Sequence, residues 1–446
     1  MIIRWLLTLS LLVGGTLCFA QDQQELLARF DKMEKRIEAL EAEVAVLKAA
    51  QATVGESTAS TQPAATETAL AVQSMAPPPV SPVVPGPQTA PVVAQIPAST
   101  DPTASARLAN PAISVIGNLI GAVGNNPAQG PNPSVGATPL DPGPSLKLAE
   151  SEVGFSAAVD PYARADFFIS FGEQGVDLEE GYLTFHSLPG DFLVKAGKIR
   201  TPFGKVNPLH RHVVPWVDRP LVSQYLVGGE EGISDAGFTV SRLLPAPGDL
   251  FLEATGGVYR GDSEGVFESS KRSDVSVVGH LKGYRDLSED TNLEIGLSYA
   301  RGHNGLPVTG NQTTNTFVSN LYGIDTTYRW KPLRRSVYRS FIAHSEFIWS
   351  QRREPGGLRN AFGLYASGQY QFAKKWFAGF RYDNSERQQA GNLRDSGVSA
   401  ILTFWPSEFS QIRAQYRFTN YFEGISSNEL LFQFQFSVGA HGAHPF

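Results

Sequence analysis

The sequence predicts an all-β fold: a transmembrane antiparallel β-barrel of about 16 strands, preceded by a short α-helical coiled coil and a disordered Pro-rich linker. Three observations lead there. The first is alternation. Near its C-terminus the chain reads Glu429-Leu430-Leu431-Phe432-Gln433-Phe434-Gln435-Phe436-Ser437-Val438. Successive side chains of an extended strand point to opposite faces. Leu430, Phe432, Phe434, Phe436 and Val438 therefore share one face, and Glu429, Leu431, Gln433, Gln435 and Ser437 share the other. The pattern recurs in segment after segment from 112 onward, with one face suited to lipid and one to water. The second observation is spacing: short connections alternate with longer ones, as periplasmic turns and external loops do in such barrels. The third is a mean hydropathy of only -0.15, with no run of about 18 apolar residues beyond the N-terminus. A polar lumen accounts for that; helical membrane spans do not.

Residues 1–20 read as an export signal. Arg4 supplies the positive start, Trp5 to Val13 are mostly apolar, and Ala20 is a small residue at the cleavage position. Leu17 argues against lipidation of Cys18, because a small residue is needed there. Cys18 is the only cysteine, so the mature chain is expected to hold no disulfide and no thiolate metal site.

Residues 25–48 carry heptads. Phe30, Ile37 and Val44 fall at a, and Leu26, Met33, Leu40 and Leu47 at d. The flanking pairs Arg29–Glu34, Arg36–Glu41 and Glu43–Lys48 are each opposite in sign, which suits a parallel homo-oligomer. Ile and Val at a with Leu at d lean towards two strands, whereas porin-like barrels lean towards three; a trimer is favoured over a dimer. Residues 51–109 are rich in Pro, Ala, Thr, Ser and Val, as in Ala76-Pro77-Pro78-Pro79-Val80. They lack the periodicity of a core and read as a disordered spacer.

The barrel domain is assigned to 112–446. Its predicted strands are 112–123, 150–159, 162–171, 178–188, 192–200, 236–244, 250–259, 273–285, 292–302, 317–331, 340–351, 359–372, 376–386, 395–405, 410–422 and 428–439. Placing the short turns in the periplasm, together with the coiled coil and linker, requires one outward strand before 150–159. Ile113-Ser114-Val115-Ile116-Gly117-Asn118-Leu119-Ile120 is the only candidate, and counting it makes the strand number even, as single-chain bacterial barrels require. Trp330, Trp376 and Trp405 each adjoin a short turn, as an aromatic girdle at one interface would. A terminal Phe446 suits a barrel-assembly signal.

Alternation also assigns the lumen. Arg164, Asp166 and Ser170 face inward beside lipid-facing Ala163, Ala165, Phe167 and Ile169. Arg413, Gln415 and Arg417 face inward opposite Ile412, Ala414, Tyr416 and Phe418. Arg381 and Asp383 face inward on 376–386, and His280, Lys282, Asp325, Arg329, His344 and Glu346 join them. A cationic side chain on the lipid face near the midplane would cost about 2–4 kcal/mol. The expected pore-lining set is Arg164, Asp166, Lys282, Arg329, Arg381, Arg413 and Arg417. Residues 201–235 form the third external loop, long and apolar at Val213, Val214, Trp216, Leu221, Tyr225 and Leu226. Loops of this length inside a compact domain are usually functional. Folding inward would bury these residues and make the loop a constriction carrying Lys205, His210, Arg211, His212, Arg219, Glu230 and Glu231.

Several motifs resemble the phosphate-selective (O/P-type) porins of Gram-negative outer membranes. They are Arg164-Ala165-Asp166, Glu179-Glu180-Gly181-Tyr182-Leu183-Thr184-Phe185, Lys195-Ala196-Gly197-Lys198-Ile199-Arg200-Thr201-Pro202-Phe203-Gly204-Lys205 and Asp218-Arg219-Pro220. The likeness covers about 150–446. It implies a trimeric sixteen-stranded channel that favours anions and has a folded-in third loop. Acidic residues Asp166, Asp325, Glu346 and Asp383 are interspersed here, so the expectation is passive diffusion of small hydrophilic solutes with mild anion preference. The alternatives are a carbohydrate porin and a structural anchor that reaches the cell wall (peptidoglycan) through the coiled coil.

The formal charge of -6 argues against nucleic-acid binding. No His-Glu-x-x-His appears, and Ser, His and acidic residues are scattered, so no enzyme and no cofactor are expected. His210-Arg211-His212 offers two imidazoles but no third ligand nearby in sequence; they read as polar loop histidines, with no metal. The expected partners are outer-membrane lipid, further copies of the chain and small anionic or neutral solutes.

Overall fold

The structure, a computed structural model, describes residues 111–125, 146–172, 175–263, 265–304, 317–354, 356–388 and 390–439. The expected signal, coiled coil, linker and terminal Phe446 lie outside them.

Alternating apolar and polar residues make sixteen strands. They are β1 Ala112–Gly124, β2 Leu146–Asp160, β3 Ala163–Gly172, β4 Gly175–Leu188, β5 Phe192–Arg200, β6 Ser234–Leu244, β7 Leu250–Tyr259 and β8 Ser276–Ser288. Then follow β9 Thr291–Asn304, β10 Phe317–Trp330, β11 Ser340–Glu354, β12 Gly357–Ala373, β13 Trp376–Arg387, β14 Ala390–Ser407, β15 Ser410–Asn420 and β16 Ser426–Gly439. Each pairs antiparallel with its sequence neighbours, and β1 pairs with β16, so the sheet closes into a barrel. The closing ladder sets Leu119 opposite Phe434 and Gly117 opposite Phe436. The weakly patterned segment at 112–123 is thus the strand that closes the barrel. Closure leaves no unpaired sheet edge.

The faces follow the alternation. On β16, Leu430, Phe432, Phe434, Phe436 and Val438 are exposed, whereas Glu429, Leu431, Gln433, Gln435 and Ser437 are buried. On β15, Ile412 and Tyr416 face out while Arg413, Gln415 and Arg417 are buried. Trp330 and Trp376 lie at the short-turn end, where Trp376 stacks on Phe404 with ring centroids 4.5 Å apart. At the β4–β5 turn, Gly190 and Asp191 both take positive φ (79° and 57°), a conformation that Gly adopts freely and Asp tolerates.

Three connections predicted as longer loops are tight. The ladders continue to Gly172↔Gly175, Glu354↔Gly357 and Arg387↔Ala390. Backbone pairing satisfies N–H and C=O groups whatever the side chains are, so strands extend past the point where the apolar alternation fades.

The interior is occupied by the connection between β5 and β6, which includes a short helix α1, Leu221–Leu226. Phe203, Val206, Val214, Trp216, Leu221, Val222, Tyr225, Leu226, Val227 and Ile233 are buried with Leu321, Ile348, Ala361, Tyr365 and Ile401 of the wall. The main apolar core therefore lies inside the barrel, between the loop and the inner face of β10–β14. Val213 departs from the expectation: it is 41% exposed.

Candidate functional site

The β5–β6 loop reaches several separate arcs of the barrel wall, and its contacts on β11 and β13–β15 involve residues that the sequence marks as inward-facing. At its entry, Gly204 has φ 62°, and a Cβ there would collide with the Glu346 carboxylate. Glycine lets the backbone pass against β11, where the Lys205 amide donates to Glu346 and the Gly204 amide donates to Ser298 Oγ at 2.8 Å. Lys205 Nζ then donates to Glu294 of β9 at 2.6 Å, and Arg329 stands 3.5 Å from the same carboxylate.

The base of the loop is closed by buried Asn207. Its amide donates to the carbonyls of Thr201 (2.9 Å) and Ile233 (3.0 Å) and accepts from the Ile233 amide (2.7 Å). Arg219 is 1% exposed and donates to the carbonyls of Val206 and Leu209 at 3.1 and 2.6 Å. Its Nε lies 3.6 Å from Glu230, and Arg211 lies 3.9 Å from the same carboxylate. Arg219 thus holds the loop together instead of facing open water as expected. Glu231 keeps an exposed side chain, and its carbonyl accepts from Arg200 at 2.9 Å.

On β13–β15 the loop meets the predicted row of lumen cations. Asp218 accepts from Arg381 Nη2 at 3.0 and 3.1 Å and from Arg417 Nη1 at 2.5 Å. Arg381 also pairs with Asp383 at 2.7 Å, and Arg417 pairs with Glu429. Arg413 donates to the carbonyls of Val214 and Trp216 at 3.0 and 2.9 Å. Arg381, Arg413 and Arg417 thus face inward, yet they are buried beneath the loop and clamp it instead of forming an open positive stripe. Alternation fixes a face; it does not say what covers that face. Burial pushes the Asp218 carboxyl up, but Arg381 and Arg417 outweigh it and hold the group below the usual carboxylate range. Helix α1 adds the Leu221 amide on Asp383 (3.2 Å) and Tyr225 Oη on Asp395 (2.5 Å).

Two other predicted lumen cations pair along the wall. Arg164 lies 2.9 Å from Asp166, and Lys282 lies 3.0 Å from Glu253.

The third arc holds His210 and His212. Glu152 comes from β2, and Glu179 and Glu180 come from β4. Leu178 pairs with Ile169 and Glu180 with Phe168, leaving Glu179 as a bulge residue. The bulge breaks alternation, so two successive glutamates are buried on the inner side. His210 Nδ1 lies 2.7 Å from Glu152 Oε2 and 3.1 Å from Glu179 Oε2, and His210 Nε2 lies 2.7 Å from Glu180 Oε2. Burial pushes the His210 imidazole down, but its hydrogen bonds to Glu152, Glu179 and Glu180 outweigh this and raise it well above the usual histidine range. Phe168 packs against the ring at 5.0 Å. Sequence reasoning flagged the two histidines and missed these glutamates; the pair of adjacent acids in an alternating strand was the available signal.

The sequence also carries one Gly-x-Ser-x-Gly spacing, at 261–265. Ser263 lies in the β7–β8 connection, not on a strand-to-helix turn, and its Oγ donates to the Ser234 carbonyl at 3.2 Å.

No family model matches the chain. Among solved structures, it is similar to a loop-L8 deletion mutant of OmpT, an outer membrane protein of Vibrio cholerae. That match has 11% identity, covers 74% of this chain and 99% of that one, and has a TM-score of 0.49. It is also similar to the outer membrane channel DcaP of Acinetobacter baumannii (11% identity, 74% and 96% covered, TM-score 0.46). OprB of Pseudomonas putida gives 10% identity, 75% and 96% covered, and a TM-score of 0.47. At these scores the likenesses carry no argument about what the chain does. A protein of Aquifex aeolicus (strain VF5), described only as uncharacterised, is 31% identical over 338 residues, spanning 68% of this chain and 70% of that protein. The chain belongs to the same family as this Aquifex aeolicus protein.

Proposed function

We propose that the chain is an outer-membrane channel for passive diffusion of small hydrophilic solutes. The observation that carries this is the closed sixteen-strand barrel, apolar outside and polar inside, with a folded-in loop. Such a surface suits lipid contact, and a barrel of this strand number encloses an aqueous lumen. The β5–β6 loop is its constriction in this reading, with Lys205, His210, Arg211 and His212 at the narrowing. The assembly is a homo-oligomer, a trimer in preference to a dimer, with the 25–48 coiled coil on the periplasmic side. Anion preference is mild: Lys205, Lys282, Arg164 and Arg329 each stand beside a carboxylate, so the positive field they send into the lumen is largely cancelled. The test is conductance of the purified protein in planar bilayers, with and without residues 206–228. The reading requires ohmic channels that widen in the deletion variant.

The spread of loop contacts around the wall favours a second reading, a barrel that serves chiefly as an anchor for the periplasmic segment. A parent protein silent in bilayers, with conduction appearing only on deletion of 206–228, would decide for it.

A further inference from the structure

The arc where the loop meets β2 and β4 gathers more ligand chemistry than a loop anchor needs. Glu152, His210 and His212 each offer one ligand atom, and these atoms all lie within 4.8 Å of one another. Glu152 Oε2 stands 2.7 Å from His210 Nδ1 and 3.6 Å from His212 Nδ1, and Glu179 Oε2 stands 3.1 Å from His210 Nδ1. Donor atoms on one tetrahedral zinc are roughly 3.3 Å apart, given Zn–N and Zn–O bonds near 2.0–2.2 Å. The observed separations bracket that value.

From this geometry we infer a zinc-type divalent metal site, its protein ligands Glu152, His210 Nδ1 and His212 Nδ1, with the fourth position left to water.

The partners of His210 support the assignment. Metal-ligating histidines almost always give their second ring N–H to a carboxylate or carbonyl, which fixes the tautomer. Glu180 Oε2 occupies that position on His210 Nε2 at 2.7 Å, leaving Nδ1 directed at Glu152 and Glu179. Glu179 stands beside the same ring nitrogen, held there by Arg200 Nη2, which donates to it at 3.1 Å. The β4 bulge makes this possible, because it brings Glu179 and the orienting Glu180 to the same side of one strand. Imidazole with carboxylate suits zinc, or cobalt as its spectroscopic substitute. Bound metal would tie the β5–β6 loop to β2, independently of whether the barrel conducts.

The experiment uses the full chain, folded in detergent and stripped with chelator, then titrated with Co²⁺ and Zn²⁺. One Co²⁺ per chain, with the strong visible bands of tetrahedral cobalt, displaced by Zn²⁺, is the expected result. His212→Ala and Glu152→Gln should weaken binding at least tenfold. Glu180→Gln, which removes no ligand, should weaken it about 10–100-fold. His186→Gln and the paired His441→Ala, His444→Ala variant should bind as the parent does. The inference is overturned if the parent binds no stoichiometric cobalt, or gives only the weak bands of octahedral cobalt. It is equally overturned if the terminal pair variant abolishes binding, or if folded Glu152→Gln and His212→Ala bind unchanged.

Discussion

Asp218 accepts from two guanidinium groups and from Gln415 Nε2, and Gln415 Oε1 accepts from the Val217 amide of the same loop. Removing one partner of a buried ion pair strands the other charge, at a cost of about 3–5 kcal/mol. Asp218→Ala should therefore destabilise the barrel by that order and free the loop, read as new protease cleavage within 205–228 and a lower denaturation midpoint. The pH dependence has a definite sign. A carboxyl depressed in the folded state contributes fully above its unfolded value, about 3.9, and loses that contribution only as pH falls through the lower folded value. The emission of Trp216, taken as the difference between parent and Trp216→Phe, should hold constant from neutral pH to below about 4. In Asp218→Asn the neutral-pH spectrum should already be shifted. A parent spectrum that moves between pH 6 and 5 would show that another group controls the loop.

At the scale of elements, each strand carries two separable tasks. The outer face of β16 is an unbroken row of Leu430, Phe432, Phe434, Phe436 and Val438. Phe434→Arg places a cation in the middle of that row and should cost about 2–4 kcal/mol of stability in lipid, whereas Gln435→Arg on the inner face of the same strand should not carry this lipid penalty. Equal losses in folding titrations into vesicles would contradict an outer face in contact with lipid. The expected coiled coil at 25–48 can be tested apart from the barrel. A 25–48 peptide should sediment as an oligomer, and Arg29→Glu with Arg36→Glu should weaken it by opposing like charges to Glu34 and Glu41. A monomeric parent peptide would end the heptad reading.

For the whole molecule, the proposed channel would take its selectivity from the balance of charge in the lumen. Arg381, Arg413, Arg417 and Arg219 are spent on the loop, so the charges left to act on solutes are the partly exposed Lys205, Arg211, Arg164 and Arg329. Lys205→Glu with Arg211→Glu should move the reversal potential in asymmetric salt towards cations, because charge in a confined lumen is weakly screened. Arg219→Glu should act differently, loosening the loop and raising conductance. An unchanged reversal potential in the first variant would place the narrowest point elsewhere.

The sequence by itself determined the strand number, their approximate positions, the inward and outward faces and the folding-in of 201–235. These depend on a period of two residues and on the cost of exposing apolar groups, both of which are local. It anticipated the first strand at 112–123 from parity alone, although closure is a long-range fact. Only the tertiary structure decided which inward arginines meet water and which are sealed under the loop. Arg381 and Asp218 lie 163 residues apart in the chain, and no local pattern encodes that meeting. The same holds for Glu152, Glu179 and Glu180 around His210. One bulge turns Glu179 against the alternation, and only the pairing of β4 with β3 reveals that the extra residue is there.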